Sequence, residues 1–388
     1  MKRTFVLFLF GLGMFFGGSW FGLTVGYTLA SNVPKDVADT WEMIQTMHPD
    51  GPFDVAKLKR GAIQGMVESL NDPFTSYMPP DAAQRNRDDD SGQFAGVGMM
   101  IDGHGERPVV GSVVEGAPAA AAGLRKGDVI VSVDGKSIDK EPLQSVVARV
   151  RGKEGTIVTI GVLRGSAKPP LEFKVTRAIV LNPSVKREML TAGDMKIAHV
   201  TIEEFHEDTT PLFTSAAAWS VGEGAQGIIL DLRNDPGGSL AAAVQVICKW
   251  QSGKPAVRLV SRNEPEQVIS PKCNALLDDM PTVVLINGHS ASASEVVTGA
   301  LQDYGKAHVI GEKSFGKGVG QQIIDYPDGA RIALVAFHWH TPKGRSIHKT
   351  GIMPDEVVQQ PAADDAEPDA AHDAQLQAAI AWLAAHHR

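Results

Sequence analysis

Cysteine is nearly absent. The 388 residues hold two, Cys248 and Cys273. No Cys–His spacing forms a zinc-ligand set, which excludes a structural zinc module. His338 and His340 stand two apart in a strand-like run and share a face. No carboxylate or third histidine stands at ligand spacing beside them, so a metal is not expected. An excess of positive charge is also lacking. With 37 Lys and Arg against 45 Asp and Glu, the formal charge is -8. No broad face would neutralise phosphates, which excludes a general nucleic-acid binder. The GxSxG elbow is missing, because Gly288-His-Ser290-Ala-Ser292 has no second glycine. A Walker A loop is missing too, because Gly318 follows Lys317 where Ser or Thr would stand. What is present is ordinary for a globular chain: 43% apolar and 21% charged residues, enough for a large core and two or three domains.

One long uncharged run exists, from Thr4 to Ala30, behind Lys2 and Arg3. It exceeds the roughly 20 residues that cross a bilayer. It is also longer than the apolar stretch of about 7–15 residues in a cleaved signal peptide. Gly11, Gly13, Gly17, Gly18, Gly22 and Gly26 interrupt it. The expectation is a signal anchor or signal peptide over 1–30, with the anchor favoured. Either way the basic flank stays cytoplasmic and the rest is exported. The predicted location is periplasmic or extracytoplasmic, tethered to the inner membrane by the N-terminal segment. Export permits a Cys248–Cys273 bridge, which is the expectation; the alternative is two buried thiols.

Residues 31–92 read as a helical segment. Val37, Trp41 and Ile44 share one face, and Val55, Leu58, Ala62, Ile63, Met66, Val67 and Leu70 form a second stripe near period 3.6. Asn71-Asp72-Pro73 ends it, and Asp88-Asp89-Asp90-Ser91-Gly92 reads as a solvated linker. Residues 93–178 form a compact unit. Strand-like runs fall at 109–114, 128–133, 156–163 and 171–176, with helices at 117–122 and 141–151 ended by Gly123 and Gly152. Residues 179–358 alternate. Strands are expected at 196–202, 226–232, 282–287, 308–311 and 331–337, and helices at about 210–220, 239–250 and 292–304. That alternation predicts an α/β core with a largely parallel sheet. Residues 359–388 give an acidic linker and a closing helix with Leu376, Ile380 and Leu383 on one face.

Three stretches carry chemistry. In Thr282-Val-Val-Leu-Ile-Asn287-Gly-His-Ser-Ala-Ser292-Ala-Ser-Glu295 a buried strand runs through a turn into a helix. A serine there sits beside backbone N–H groups that no carbonyl has claimed, which can hold an oxyanion. The same residues fit a capping box, with Ser292 as N-cap and Glu295 at N3, and on this stretch alone capping is the stronger reading. Ile310-Gly-Glu-Lys-Ser314-Phe-Gly316-Lys317-Gly318 places a lysine between glycines. A desolvated lysine loses charge stability and becomes a base near neutrality, whereas a surface lysine does not. Leu230-Asp-Leu-Arg-Asn-Asp-Pro-Gly237-Gly238 is a second strand end with two glycines whose N–H groups are free to face a ligand, or simply a strand–helix turn.

Taken in order, Leu230 to Gly238, Ser290-Ala-Ser-Ala-Ser-Glu295 and Phe315-Gly-Lys-Gly318 resemble the C-terminal processing (tail-specific) protease family. Asn71-Asp-Pro-Phe-Thr-Ser-Tyr77 resembles the segment before that family's PDZ domain. Phe94-Ala-Gly96-Val-Gly98, Ala117-Pro118 and Ala122-Gly-Leu-Arg-Lys-Gly-Asp128 resemble the PDZ domain itself, and Pro342-Lys-Gly344-Arg-Ser-Ile347 with Gly351-Ile-Met-Pro-Asp355 also fits. The resemblance covers roughly residues 35–358. It implies a mostly parallel-sheet α/β protease core of crotonase/ClpP-like ββα units, an inserted PDZ domain and N-terminal helices.

The resemblance also implies a serine–lysine dyad. The family's serine precedes its lysine by 25 positions, which selects Ser292 for Lys317. The glutamine four positions after the lysine is Gln321, which would orient it. The oxyanion hole falls to the N–H groups of Gly238 and Ala293. Glu295, Asp303 and Ser314 match supporting positions. His289 stands where the family varies and carries little weight. The PDZ unit would read an apolar free C-terminus. Gly96, Val97, Gly98 and Met99 would hold the carboxylate, and Leu143 and Val147 would wall the side-chain pocket. No cofactor or metal is implied. The partners implied are protein or peptide substrates, the membrane and a further copy of the chain. A rival reading is an inactive membrane-anchored PDZ scaffold. A triad protease with trailing PDZ units is disfavoured, because the PDZ unit precedes the core and no Gly-Asp-Ser-Gly-Gly stretch exists.

Overall fold

The computed structural model describes residues 33–90, 93–103, 107–114, 116–165, 169–181, 183–360 and 373–386. The uncharged run 4–30, Ser91-Gly92 and most of the linker before the last helix lie outside the described residues. Among the described residues, no helix is long and apolar enough to cross a membrane.

Contacts divide the chain between Gly61 and Ala62. The first unit holds helix Lys35–Met47 and the opening turns of helix Val55–Glu68. Neither helix has a buried residue. The apolar stripe is therefore present as a period but not as a covered face.

In the second unit, the expected linker at 88–90 is the last turn of helix Pro80–Asp90. Acidic residues are unfavourable at a helix C-terminus. Arg331 offsets this: its Nη1 lies 2.7 Å from Asp90 Oδ2.

The core sheet runs in the order Val185–Ala192, Met195–Ile202, Gly227–Asp231, Thr282–Ile286, His308–Gly311, Glu356–Val357. The first pairing is antiparallel and the rest are parallel. Gly227–Asp231 and Thr282–Ile286 are buried at every position, which explains their unbroken apolar sequence. Alternate residues serve two layers. Ile228, Leu230, Val284 and Ile286 pack with helices Thr209–Gly222, Leu240–Ile247 and Ala293–Asp303. Ile229, Val283 and Leu285 pack on Leu376, Ala379 and Leu383 of helix Ala374–His386.

A second sheet joins Ser76–Met78, Arg331–His340, Val257–Ser261 and Gln267–Ile269, with Val319–Asp325 also paired to Arg331–His340. All its pairings are antiparallel. Among the described strands, parallel pairing is confined to one sheet, with one isolated parallel bridge at Phe205 and Gly238, and the fold is mixed α/β rather than mainly parallel. Short connections force this: the turn Tyr326 to Ala330 joins two strands that must run antiparallel.

The inserted unit has the strand order Met99–Asp102, Val109–Val113, Val129–Val133, Ile157–Leu163, Leu171–Thr176. Its own core includes Val110, Ile130, Val146, Val158, Ile160 and Val162. Strand Gln93–Gly96 pairs with Ala178–Leu181, so the chain enters and leaves this unit side by side. Cys248 and Cys273 form a disulfide, with Cα atoms 6.0 Å apart.

Candidate active site

Two adjacent parallel strands, Gly227–Asp231 and Thr282–Ile286, end together and open into facing turns. The turns are stitched to each other. Asn287 Oδ1 accepts Asn234 N–H at 3.0 Å, and Asn287 Nδ2 donates to Asn234 Oδ1 at 2.8 Å. Ala291 N–H donates to the Asp235 carbonyl at 3.0 Å.

The glycines permit the close approach. A Cβ on Gly237 would lie 2.7 Å from both Ala291 O and Ser292 Cβ, and one on Gly238 would lie 2.3 Å from Phe205 O. Phe205 N–H donates to Gly237 O at 2.7 Å, and Ser239 N–H to Phe205 O at 2.8 Å. Among the described residues, no acceptor takes the N–H of Gly238 or of Ala293.

The three serines of this turn separate by environment. Ser290 is fully buried, and its Oγ donates to Leu232 O at 2.7 Å. Ser294 is fully buried, and its Oγ donates to Asp235 O at 3.0 Å. Ser292 lines a cleft of about 510 Å³. Its φ of 53° and ψ of -110° put it in a region that costs an L-residue about 1–3 kcal/mol and that recurs at functional sites. Glu295 Oε2 accepts the Ser292 N–H at 2.8 Å, so the capping-box pattern and exposure to the cleft coexist.

Glu295 is completely buried. Besides Ser292 N–H, it accepts from Ser314 Oγ at 2.5 Å, Gly316 N–H at 2.7 Å and Lys317 N–H at 2.9 Å. Burial raises its pKa, and the four donors oppose that. One carboxylate therefore ties the Ser292 turn to the Lys317 loop. Ser314 also accepts Ile352 N–H at 2.7 Å. Asp303 accepts Lys343 N–H and Arg345 Nε, both at 2.8 Å, which is a role in shaping a turn.

Lys317 lines the same cleft. Burial lowers its pKa below the usual lysine value, against a smaller opposing pull from Glu295. Nζ donates to Gln321 Oε1 at 3.3 Å, and no hydrogen bond joins it to Ser292 among the described contacts. Gln321 Nε2 in turn donates to the Phe74 carbonyl, and the Phe74 ring centroid lies 5.5 Å from Nζ. The Phe74 strap is held by Asp72, whose Oδ1 accepts Phe74 N–H at 3.0 Å and whose Oδ2 accepts Thr75 Oγ1 at 2.7 Å.

Ser292, Lys317, Gln321, Gly238 and Ala293 thus line one cleft, walled also by Leu240, Val296, Val319, Ala333, Phe337 and Trp339. His289 is not among the residues lining it and faces a separate cavity of about 860 Å³. Gly96, Val97, Gly98, Met99, Leu143 and Val147 are not on the cleft wall. They lie in the inserted unit. Gly96 pairs with Ala178, Val97 and Gly98 are buried, and Met99 opens edge strand Met99–Asp102. Leu143 and Val147 are half-buried on helix Leu143–Val150, and Leu143 packs over Gly103, where a Cβ would come within 2.8 Å of its Cδ2. Sequence reasoning did not single out Phe74, Asp235, Glu204 or His206. Phe74 and Asp235 lie inside quoted motifs, 71–77 and 230–238; Glu204 and His206 lie in none.

Residues 196–358 match Peptidase family S41, 109–164 a PDZ domain, and 28–82 the "Activating protease CtpB N-terminal domain". The "Probable CtpA-like serine protease" of Staphylococcus aureus (strain COL) is 38% identical over 311 residues, covering 79% of this chain and 61% of that relative. The chain therefore spans under two thirds of the length of that relative. The "Probable CtpA-like serine protease" of Staphylococcus haemolyticus (strain JCSC1435) is 34% identical over 366 residues, covering 92% of this chain and 73% of the relative. Among solved structures, the photosystem II D1 C-terminal processing protease superimposes with a TM-score of 0.54 at 30% identity, covering 84% of this chain and 86% of that one. The chain belongs to the S41 peptidases, in the family of C-terminal processing proteases.

Proposed function

We propose that this chain is a serine endopeptidase that cleaves exported or membrane-associated proteins near their C-termini, with Ser292 as nucleophile and Lys317 as general base. The observation that carries the reading is the convergence of a strained Ser292, a desolvated Lys317 and the unclaimed N–H groups of Gly238 and Ala293 on one cleft. Neutral Lys317, swinging on its four-carbon stem from Gln321, takes the Ser292 hydroxyl proton as Oγ attacks the peptide carbonyl. The Gly238 and Ala293 N–H groups stabilise the tetrahedral oxyanion. Lysine then protonates the leaving amine, and water repeats the sequence on the acyl-enzyme. Gln321 returns Nζ to position between steps.

Residues 93–178 act as the tail reader and 179–358 as the protease core, within a chain whose 1–30 segment tethers it to the inner membrane from the periplasmic side. The edge position of strand Met99–Asp102 supports β-addition of a substrate tail, whose apolar end would meet Leu143 and Val147. Strands Val185–Ala192 and Met195–Ile202 with helix Thr209–Gly222 support the ββα, crotonase/ClpP-like reading of the core. Helices 35–68, with their uncovered apolar stripe, would serve a homo-oligomer. Incubation of the Ser292→Ala chain with candidate exported proteins tests the proposal. Retention of uncleaved substrates with free apolar C-termini supports it, and undiminished cleavage by that variant contradicts it.

A further inference from the structure

Asp235 sits in the turn between strand Gly227–Asp231 and the glycine pair, and it is fully buried. Oδ1 accepts Gly237 N–H at 2.8 Å. Oδ2 has no hydrogen-bond partner among the described residues. The main-chain carbonyl takes Ala291 N–H and the Ser294 hydroxyl, both at 3.0 Å. One residue thus holds the glycine turn with its side chain and the Ser292 turn with its backbone.

No cation is bonded to this carboxyl among the described residues. The charged groups around it are Glu204 and His206, from the segment after strand Met195–Ile202. His206 Nε2 lies 3.1 Å from Glu204 Oε2, and that carboxylate raises the His206 pKa above the usual histidine value. The helix side presents the Ser294 hydroxyl. Glu295, the next residue on that helix, directs its carboxylate to Ser292, Ser314, Gly316 and Lys317 instead. Burial pushes the Asp235 carboxyl up to about 8, and Glu204 adds to the rise against the Gly237 bond, the Ser294 hydroxyl and His206. An ionised carboxylate with one oxygen unpaired in the interior is costly, and a neutral acid there is much less so.

We propose that Asp235 works as a neutral carboxylic acid, a positioning residue that holds the Gly237–Gly238 turn against the Ser292 turn; ionisation keeps the bond to Gly237 N–H but leaves a buried charge on the unpaired Oδ2, and the water that must enter to solvate it displaces the oxyanion-facing N–H groups. The kinetic half of this rests on the serine-protease reading of the cleft; the protonation half does not. The sign for stability follows from the proton count. Unfolded, an aspartate ionises near about pH 4. Between there and about 8 the folded chain holds one proton more, so the contribution of this residue to stability falls as pH rises and then levels off.

Asp235→Asn keeps the acceptor for Gly237 N–H and cannot ionise. The test measures kcat/KM against pH for both proteins, with a quenched-fluorescent peptide ending in a free apolar residue, and thermal midpoints over the same range. The quotient of wild type over variant cancels the Lys317 titration common to both. It is expected to fall roughly thirtyfold between about pH 7 and 9.5, about a decade per unit once the acid ionises. The Tm advantage of the variant is expected to grow between about pH 5 and 8 and then hold constant. A flat quotient with a drifting Tm difference overturns the positioning role while leaving the acid neutral. A flat Tm difference overturns the neutral acid. If neither protein cleaves the peptide, the protease reading has failed, and the Tm series alone decides the protonation state.

Discussion

Burial lowers the pKa of Lys317 against two opposing effects, the pull of Glu295 and the face of the Phe74 ring. Desolvation of this half-buried side chain disfavours its charge. The Phe74 ring, 5.5 Å from Nζ, favours the charge, but by only about 0.5–1 kcal/mol at such a site, under one pK unit. Desolvation therefore wins, as the lowered pKa records. The consequence for activity is a rising limb of kcat/KM with pH, centred below the ordinary lysine value of 10.5. Phe74→Ala admits water to Nζ and should move that limb to higher pH, with Lys317→Ala losing about 10²–10⁴ of the rate at every pH. A limb that moves to lower pH in Phe74→Ala would mean that the ring's attraction, and not the exclusion of water, governs the base. Ser292, Lys317 and Gly238 were named as candidates through the family resemblance, whose 25-position spacing selects Ser292; their own stretches also read as a capping box, a surface lysine and a plain strand–helix turn. The roles of Phe74 and Asp235 were not legible. Phe74 meets Gln321 across 247 positions of chain, and an aspartate in a turn looks solvated until its burial is known.

At the level of elements, the site is two strand ends and one loop held in register by Glu295. Its four donors come from the Ser292 turn and from the 314–317 segment. Only a carboxylate offers enough lone pairs to accept from all four. Glu295→Gln places an amide NH₂ against backbone N–H groups and leaves buried donors unpaired. The expected loss is about 2–4 kcal/mol of stability, with at least tenfold lower kcat/KM as the loop carrying Lys317 drifts from Ser292. Chemical denaturation alongside a peptide-cleavage assay checks this, and a Gln variant matching wild type in both would remove Glu295 as the link. The buried strands Gly227–Asp231 and Thr282–Ile286 were predicted within a residue or two, since nothing but a sheet interior explains such runs. Strand Val319–Asp325 was missed. Its opening Val-Gly-Gln-Gln has no apolar alternation, and it forms because Arg331–His340 is there to pair with it. The same tertiary cause turned the expected linker at 88–90 into the end of a helix anchored by Arg331.

At the scale of the whole molecule, the proposed tail reader is an insertion ahead of the S41 core. Two strands, Gln93–Gly96 and Ala178–Leu181, join the inserted unit to the rest side by side, a pairing that no motif in the sequence announces. If residues 96–99 hold a terminal carboxylate, a peptide with a free apolar C-terminus is cleaved faster than its C-terminal amide. The charge-assisted hydrogen bonds lost are worth about 1.5–3 kcal/mol, so roughly tenfold or more in kcat/KM is expected. Equal rates for the two peptides would remove tail reading and leave the dyad untouched. The dyad itself is tested most directly by replacing each of the three neighbouring serines with alanine and measuring cleavage of one free-tailed peptide. Ser290 and Ser294 have buried hydroxyls bonded to Leu232 and Asp235 carbonyls, so their variants should be less stable yet still cleave. Ser292→Ala should fold as wild type and cleave nothing. Cleavage surviving in Ser292→Ala, or lost as completely in a folded Ser290→Ala, would contradict the assignment.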